Sequence, residues 1–237
     1  MENKIWFFDN ENGSKPIEKI FYFLLIHYED IFGKDKMNSE TCFIYNSVDA
    51  DCPMLITNRE NLIIRLAQSS TDYWTQTIFQ LSHELCHYAI RQYKIDKLFT
   101  LVWFEEIVCE AFSLYVLKYA YENWYRCLLS EININFYESI GKYLDNELND
   151  TGSNIFKEYV KKGDLLAYEK IADSQRETHR NERNLFYIDI CYNPKETKEL
   201  CNYQKYVCAD NVTIDFEKWY SETNNVLVKA LWDIIYN

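Results

Sequence analysis

His83, Glu84 and His87 are the residues whose types and spacing could do chemistry. They stand in the run His83-Glu84-Leu85-Cys86-His87. On a helix the two imidazoles lie one turn apart on one face and can grip a single metal ion. Glu84 then lies beside the metal's open position. Zinc suits such a set, because it takes imidazole and carboxylate ligands and leaves a site for water whose pKa falls toward neutrality. A carboxylate beside that water can remove its proton and pass it to a leaving amine. The bland alternative is two helical neighbours and an ordinary surface acid. With only four histidines in 237 residues, chance explains the spacing poorly.

A working site needs a third protein ligand. Downstream come Trp103, Phe104, Glu105 and Glu106, then Cys109 and Glu110 on the next turn. Glu106 is the preferred ligand, with Glu105 and Glu110 as rivals. Only one of the adjacent pair is expected to point inward, leaving Glu105 to face solvent. Cys86 and Cys109 fall on the packing sides of their helices and read as small buried residues rather than ligands. His179, inside the run Arg176 to Arg183, is a candidate donor to a developing oxyanion. Its bland alternative is a solvated polar segment. His27 sits among the apolar residues of the first helix.

The pattern resembles the gluzincin metallopeptidases, in which HExxH is followed by a Glu on a downstream helix. In their aminopeptidase N-like branch eighteen residues intervene, and eighteen separate His87 from Glu106. That branch also carries a Trp three positions before its ligand Glu, where Trp103 stands. Its GxMEN motif is missing upstream of His83, which argues against an aminopeptidase. A second resemblance is to the ImmA/IrrE-like intracellular peptidases, whose ligand Glu opens an ExxAxxFAxxLL helix. Glu106, Cys109, Phe112, Ser113, Val116 and Leu117 match it, with Cys and Ser in place of the two Ala.

These likenesses cover about residues 53–120. They imply a zinc peptidase, more naturally endo-acting, with His83, His87 and Glu106 as ligands and Glu84 as base. Glu110 would be the acceptor that orients a ligand imidazole through its other nitrogen. An extended peptide or protein substrate would add to residues 62–67 as the edge strand. The ImmA/IrrE likeness implies a variant that cuts only one regulatory or defence partner. A zinc-binding module without turnover is the alternative from another class.

The elements that must position these residues are legible in part. From 71 to 92 no Gly or Pro interrupts, and Trp74, Ile78, Leu81, Leu85 and Tyr88 return at three- and four-residue steps, as in an amphipathic helix. A second uninterrupted stretch, 101–129, predicts another long helix. Ser14 and Pro16 open a first helix that Gly33 stops. Residues 41–46, 53–57 and 62–67, with a polar turn at 58–61, predict a small antiparallel sheet packed on the metal-binding helix. Further helices are expected at 131–148, 153–173 and 215–236, and a loosely alternating strand at 184–192. The fold class is therefore α+β and mainly helical. Residues 1–129 would form the catalytic region and 130–237 a helical lobe completing the cleft, or the two one compact domain.

Composition narrows the classes. Hydrophobic residues make up 48% and aromatics 17%, which points to a globular chain. Five Gly and three Pro are too few turn formers for a many-stranded sandwich. The formal charge of -12 repels phosphate backbones and anionic bilayers, so neither nucleic acid nor membrane is expected as a partner. Even the oily Ile20 to Ile31 segment is broken by His27, Glu29 and Asp30, and the start Met1 to Asn10 lacks a signal peptide's basic opening. The eight cysteines form no CxxC pair. Free thiols in a soluble cytoplasmic protein are the expectation.

Overall fold

The computed structural model describes residues 5–9 and 15–236. Ser14, read as the start of the first helix, lies outside them, as does half of the Met1 to Asn10 segment read for a signal peptide. Trp6–Phe8 forms β1, and Lys15–Phe32 forms α1, whose Ile17, Ile20, Phe21, Leu24, Tyr28 and Ile31 make one buried stripe. Gly33 ends α1 at φ 96°, a region that favours glycine, and the single turn α2 (Lys34–Met37) follows. β2 (Cys42–Asn46), β3 (Met54–Ile56) and β4 (Leu62–Leu66) complete a four-stranded sheet in the order β1-β2-β4-β3.

The sheet is mixed, not antiparallel. Cys42 pairs in parallel with Trp6 on one side and with Leu62 on the other, and only β3 runs antiparallel, with Leu55 against Ile64. The connections are the cause. Strands joined through a helix such as α1 come out parallel. The 47–53 connection then leads to a strand two places away, and the turn after β3 returns β4 into the gap. β4 is thus internal, with Leu62, Ile64 and Leu66 buried. The edge strands are β1 and β3, not residues 62–67.

α3 (Trp74–Tyr93) lies against the sheet and against α1, and α4 (Val102–Asn123) packs along α3. Every residue of α4 from Trp103 to Leu117 is buried. A stretch buried on all sides belongs in the middle of a core, and α4 is covered by α3, α5 and α8. It gives way to 3₁₀ turns from Trp124, short of the expected end at 129.

The second half is helical, in shorter pieces than expected. α5 (Tyr137–Asn149) begins after a 3₁₀ turn. Gly163, at φ 67°, splits the 153–173 helix into α6 (Ile155–Lys162) and α7 (Leu165–Glu169). Residues 184–192 belong to a helix, α8 (Arg180–Tyr192), and not to a strand. Its buried Arg183, Phe186 and Ile190 recur at helical steps, and the alternation nearby is incidental. After α9 (Thr197–Leu200), Asn224 at φ 52° separates α10 (Phe216–Thr223) from α11 (Val226–Tyr236). The Asn225 side chain caps α11 by accepting from the amides of Leu227 and Val228. Among the described residues no helix is long and apolar enough to cross a membrane.

One histidine reports on the seam between α1 and α4. His27 Nε2 lies 2.9 Å from the Tyr115 hydroxyl, and its ring stacks on Tyr119 at 3.7 Å. Burial brings its pKa down to about 4, outweighing the pull of Asp30. The folded value lies below the unfolded one, about 6.5. The stability held in the neutral ring is therefore complete above that pH and is lost as pH falls toward 4. Its size is on the order of 2–3 kcal/mol. An NMR titration should place the His27 midpoint below 5, and His27→Gln should flatten the pH dependence of stability in that window. A midpoint near 6.5 would refute the assignment.

Candidate metal centre

The centre lies where α3 faces the first turns of α4, and backbone anchors fix both helices. On α3, Tyr28 donates to the Ser82 carbonyl at 2.6 Å. The Gln80 amide closes on the backbone of Ala67 at 2.9 and 3.0 Å, tying the helix to the end of β4. On α4, the free amides of Val102 and Trp103 donate to the carboxylate of Glu169 on α7 at 2.7 and 3.0 Å. A carboxylate at a helix N-terminus satisfies orphan donors and meets the positive end of the dipole.

Three side chains converge. His83 Nε2 and His87 Nε2 are 3.0 Å apart, and each faces one oxygen of Glu106, at 3.4 and 3.3 Å respectively. Ligands at about 2.0–2.1 Å from a tetrahedral centre stand about 3.3 Å from one another, so the triangle has the dimensions of three corners of such a site. The donor atoms of the three residues all fall within 4.8 Å of one another. Glu106 Oε2 is buried and has no hydrogen-bond partner among the described residues. Burial opposes charge on both groups, yet the imidazoles hold Glu106 well below the usual carboxylate range, and Glu105 and Glu106 lift His87 well above an ordinary histidine. The pocket thus favours positive charge between the imidazoles and the carboxylate, and the donor set fits a divalent cation.

Glu105 does not face solvent as expected. It is buried, and its Oε2 lies 3.1 Å from His87 Nδ1. Its Oε1 accepts from Tyr203 and from Lys94, both at 2.6 Å. Held so, the carboxylate accepts from Nδ1–H, and whenever the ring is neutral this leaves the Nε2 lone pair turned to the triangle. This is the role expected of Glu110. Glu110 instead meets His179 Nε2 at 3.6 Å and Arg183 Nη1 at 3.5 Å.

His179 is neither solvated nor in the cleft. It is fully buried, and its Nδ1 lies 2.8 Å from the hydroxyl of Tyr168. Cys86 and Cys109 are fully buried in the packing, as expected.

Glu84 lines a cleft of about 280 Å³ together with the metal-site residues, the β3 segment 52–57 and the loop after α3. Its carboxylate makes no hydrogen bond to a described residue. Burial pushes its pKa up, with His83 and His87 pulling the other way. The cleft also holds Arg176, whose Nε lies 3.3 Å from Glu106 Oε2. Sequence reasoning singled out the Arg176 to Arg183 run but attended to His179 in it. The charge density was the visible signal; the partner, seventy residues away in sequence, was not.

No family model matches the chain, and no curated protein or solved structure matches it either.

Removing the brace on His87 should loosen the site without deleting a ligand. Glu105→Gln and Tyr203→Phe should each weaken zinc binding about 10- to 100-fold in competition with a chelating dye. Unchanged affinity in folded Glu105→Gln would show that the carboxylate does not orient His87.

Proposed function

We propose that this chain is a zinc-dependent peptidase, endo-acting on a peptide or protein substrate. His83, His87 and Glu106 would hold the metal and Glu84 would be the general base. The observation that carries the reading is the juxtaposition of a three-cornered N,N,O donor set with an unbonded, buried carboxylate, Glu84, in an open cleft. Two imidazoles and a carboxylate suit zinc among the common divalent ions.

When bound, zinc polarises a carbonyl and lowers the pKa of water at its open position. Glu84 accepts a proton from water as the water oxygen forms its bond to the carbonyl carbon and the C=O π pair moves onto the carbonyl oxygen. The pair on the carbonyl oxygen then re-forms the C=O bond as the C–N bond breaks, the C–N electron pair goes to nitrogen, and nitrogen takes the proton from Glu84. A carboxyl whose proton affinity is raised by burial suits a group that must hold that proton between the two steps.

Substrate placement follows from the sheet. β3 is an edge strand whose Met54 and Leu55 line the cleft, so an extended peptide can add to it by backbone hydrogen bonds. The net charge of -12 disfavours nucleic acid and anionic membranes as partners. All eight cysteines are free, which supports a reducing, cytoplasmic setting.

Elemental analysis of untagged protein should find about one zinc per chain, lost in His83→Ala and in Glu106→Ala. The wild type should cleave labelled casein or a pool of internally quenched peptides. Glu84→Gln should keep its zinc and lose at least about 10²-fold in rate. Folded wild type that takes up no zinc, or hydrolysis that survives in Glu84→Gln, would sink the reading.

A further inference from the structure

Hydrolysis of an amide places negative charge on the carbonyl oxygen, and that oxygen needs a donor aimed at it. The inference here rests on the hydrolytic reading above and asks which residue gives that donor. No tyrosine lines the cleft among the described residues, and His179 is sealed behind Glu110. Four cations do line it. Lys94 is bound to Glu105 and to Thr100, and Arg91 and Lys97 share Glu40. Arg176 alone of the four touches a carboxylate of the metal triangle.

Its guanidinium is held from behind. Nη2 donates to Asp173 Oδ1 at 3.2 Å and Nε to the Asp173 carbonyl at 3.4 Å, while Nε also faces Glu106. No hydrogen bond to a described residue uses Nη1. The segment that carries it is pinned in turn. Arg176, His179 and Arg183, at helical steps, lie against Glu106 and Glu110, one turn apart on α4. Arg183 also donates to the Glu147 carbonyl at 2.8 Å, and His179 is bonded to Tyr168. A planar, permanently charged fork with one edge anchored and one free, half-sunk in the wall of a cleft, is preorganised for an oxygen anion.

We propose that Arg176 is a catalytic residue: it donates a hydrogen bond to the carbonyl oxygen as the attacking water's oxygen bonds to carbon. In the sequence of steps it neither gains nor loses a proton. The electron pair that arrives on oxygen when the C=O π bond opens is stabilised there and returns when the C–N bond breaks.

The test compares Arg176→Met and Arg176→Lys with wild type and with Glu84→Gln, all zinc-loaded. Three quantities are measured: zinc affinity, calorimetric affinity for methylphosphonate as a small tetrahedral anion, and kcat and KM on one cleaved peptide. In Arg176→Met, kcat should fall about 10²- to 10³-fold with KM little changed, and methylphosphonate should bind at least about 10-fold more weakly. Arg176→Lys, which keeps charge but not the fork, should recover part of both. Unchanged kcat and anion affinity in folded, loaded Arg176→Met would overturn the proposal. So would a loss confined to zinc affinity, since Arg176 would then serve only to hold Glu106. A wild type no more active than Glu84→Gln would instead sink the hydrolytic reading, and the methylphosphonate comparison would still decide whether Arg176 receives an anion.

Discussion

Four carboxylates buried around one helix pair set the terms for the rest of the molecule. Glu84, Glu105, Glu106 and Glu110 are each no more than 5% exposed. An ion taken from water without a partner costs several kcal/mol, whereas a large apolar side chain contributes about 1.5–3 kcal/mol when buried. Each unpaired carboxylate would therefore offset the gain from two or three core residues. The fold answers with a separate arrangement for each. Lys94 and Tyr203 meet Glu105, Arg176 and the two imidazoles meet Glu106, and Arg183 meets Glu110. Glu84 has no such bond, and burial raises its affinity for a proton instead.

This explains why the helices after Leu129 are part of the centre and not an appendage to it. Glu169 caps α4, Arg176 walls the cleft, Arg183 neutralises Glu110, and Tyr203 completes the support of His87. α4 is the common element. Because its stretch from Trp103 to Leu117 is buried, Glu105, Glu106 and Glu110 must each meet a group from another segment, and those groups fix how the later helices lie. Truncation after α4 would leave Glu105, Glu106 and Glu110 without part of their partners, so α3 and α4 alone do not define the centre.

What could be read from sequence was what depends on neighbours in the chain. The spacing of His83 and His87 on an amphipathic helix, the stop at Gly33 and the short strands at 41–46, 53–57 and 62–67 are local features, and each is present. What could not be read depends on partners far along the chain. The mixed sheet arises because β2 pairs in parallel both with β1, too short to announce itself, and with β4, which the turn after β3 returns to its side. Glu105 was expected in solvent because adjacent helical residues diverge by about 100°. That inference holds for a helix with a wet face, and α4 has none at Glu105. The apparent alternation at 184–192 misled because Arg183, a buried charge, occupies a core-facing position where an apolar residue would have shown the helical period.

The charges at the floor of the cleft also bear on how the proposed reaction would run. With both imidazoles neutral, as ligation requires, an ionised Glu84 and Glu106 would set two negative charges against the one positive charge of Arg176. Asp173, whose side chain is 69% exposed, is largely screened by water. A divalent cation held by His83, His87 and Glu106 would turn that floor from net negative to net positive. The same side chains that repel an anion would then attract one, and the attraction would be greatest once Glu84 has taken a proton and negative charge has moved to the carbonyl oxygen. A site balanced in this way favours the charge distribution of the attack over that of the bound amide, which is the condition for lowering a barrier rather than merely tightening binding.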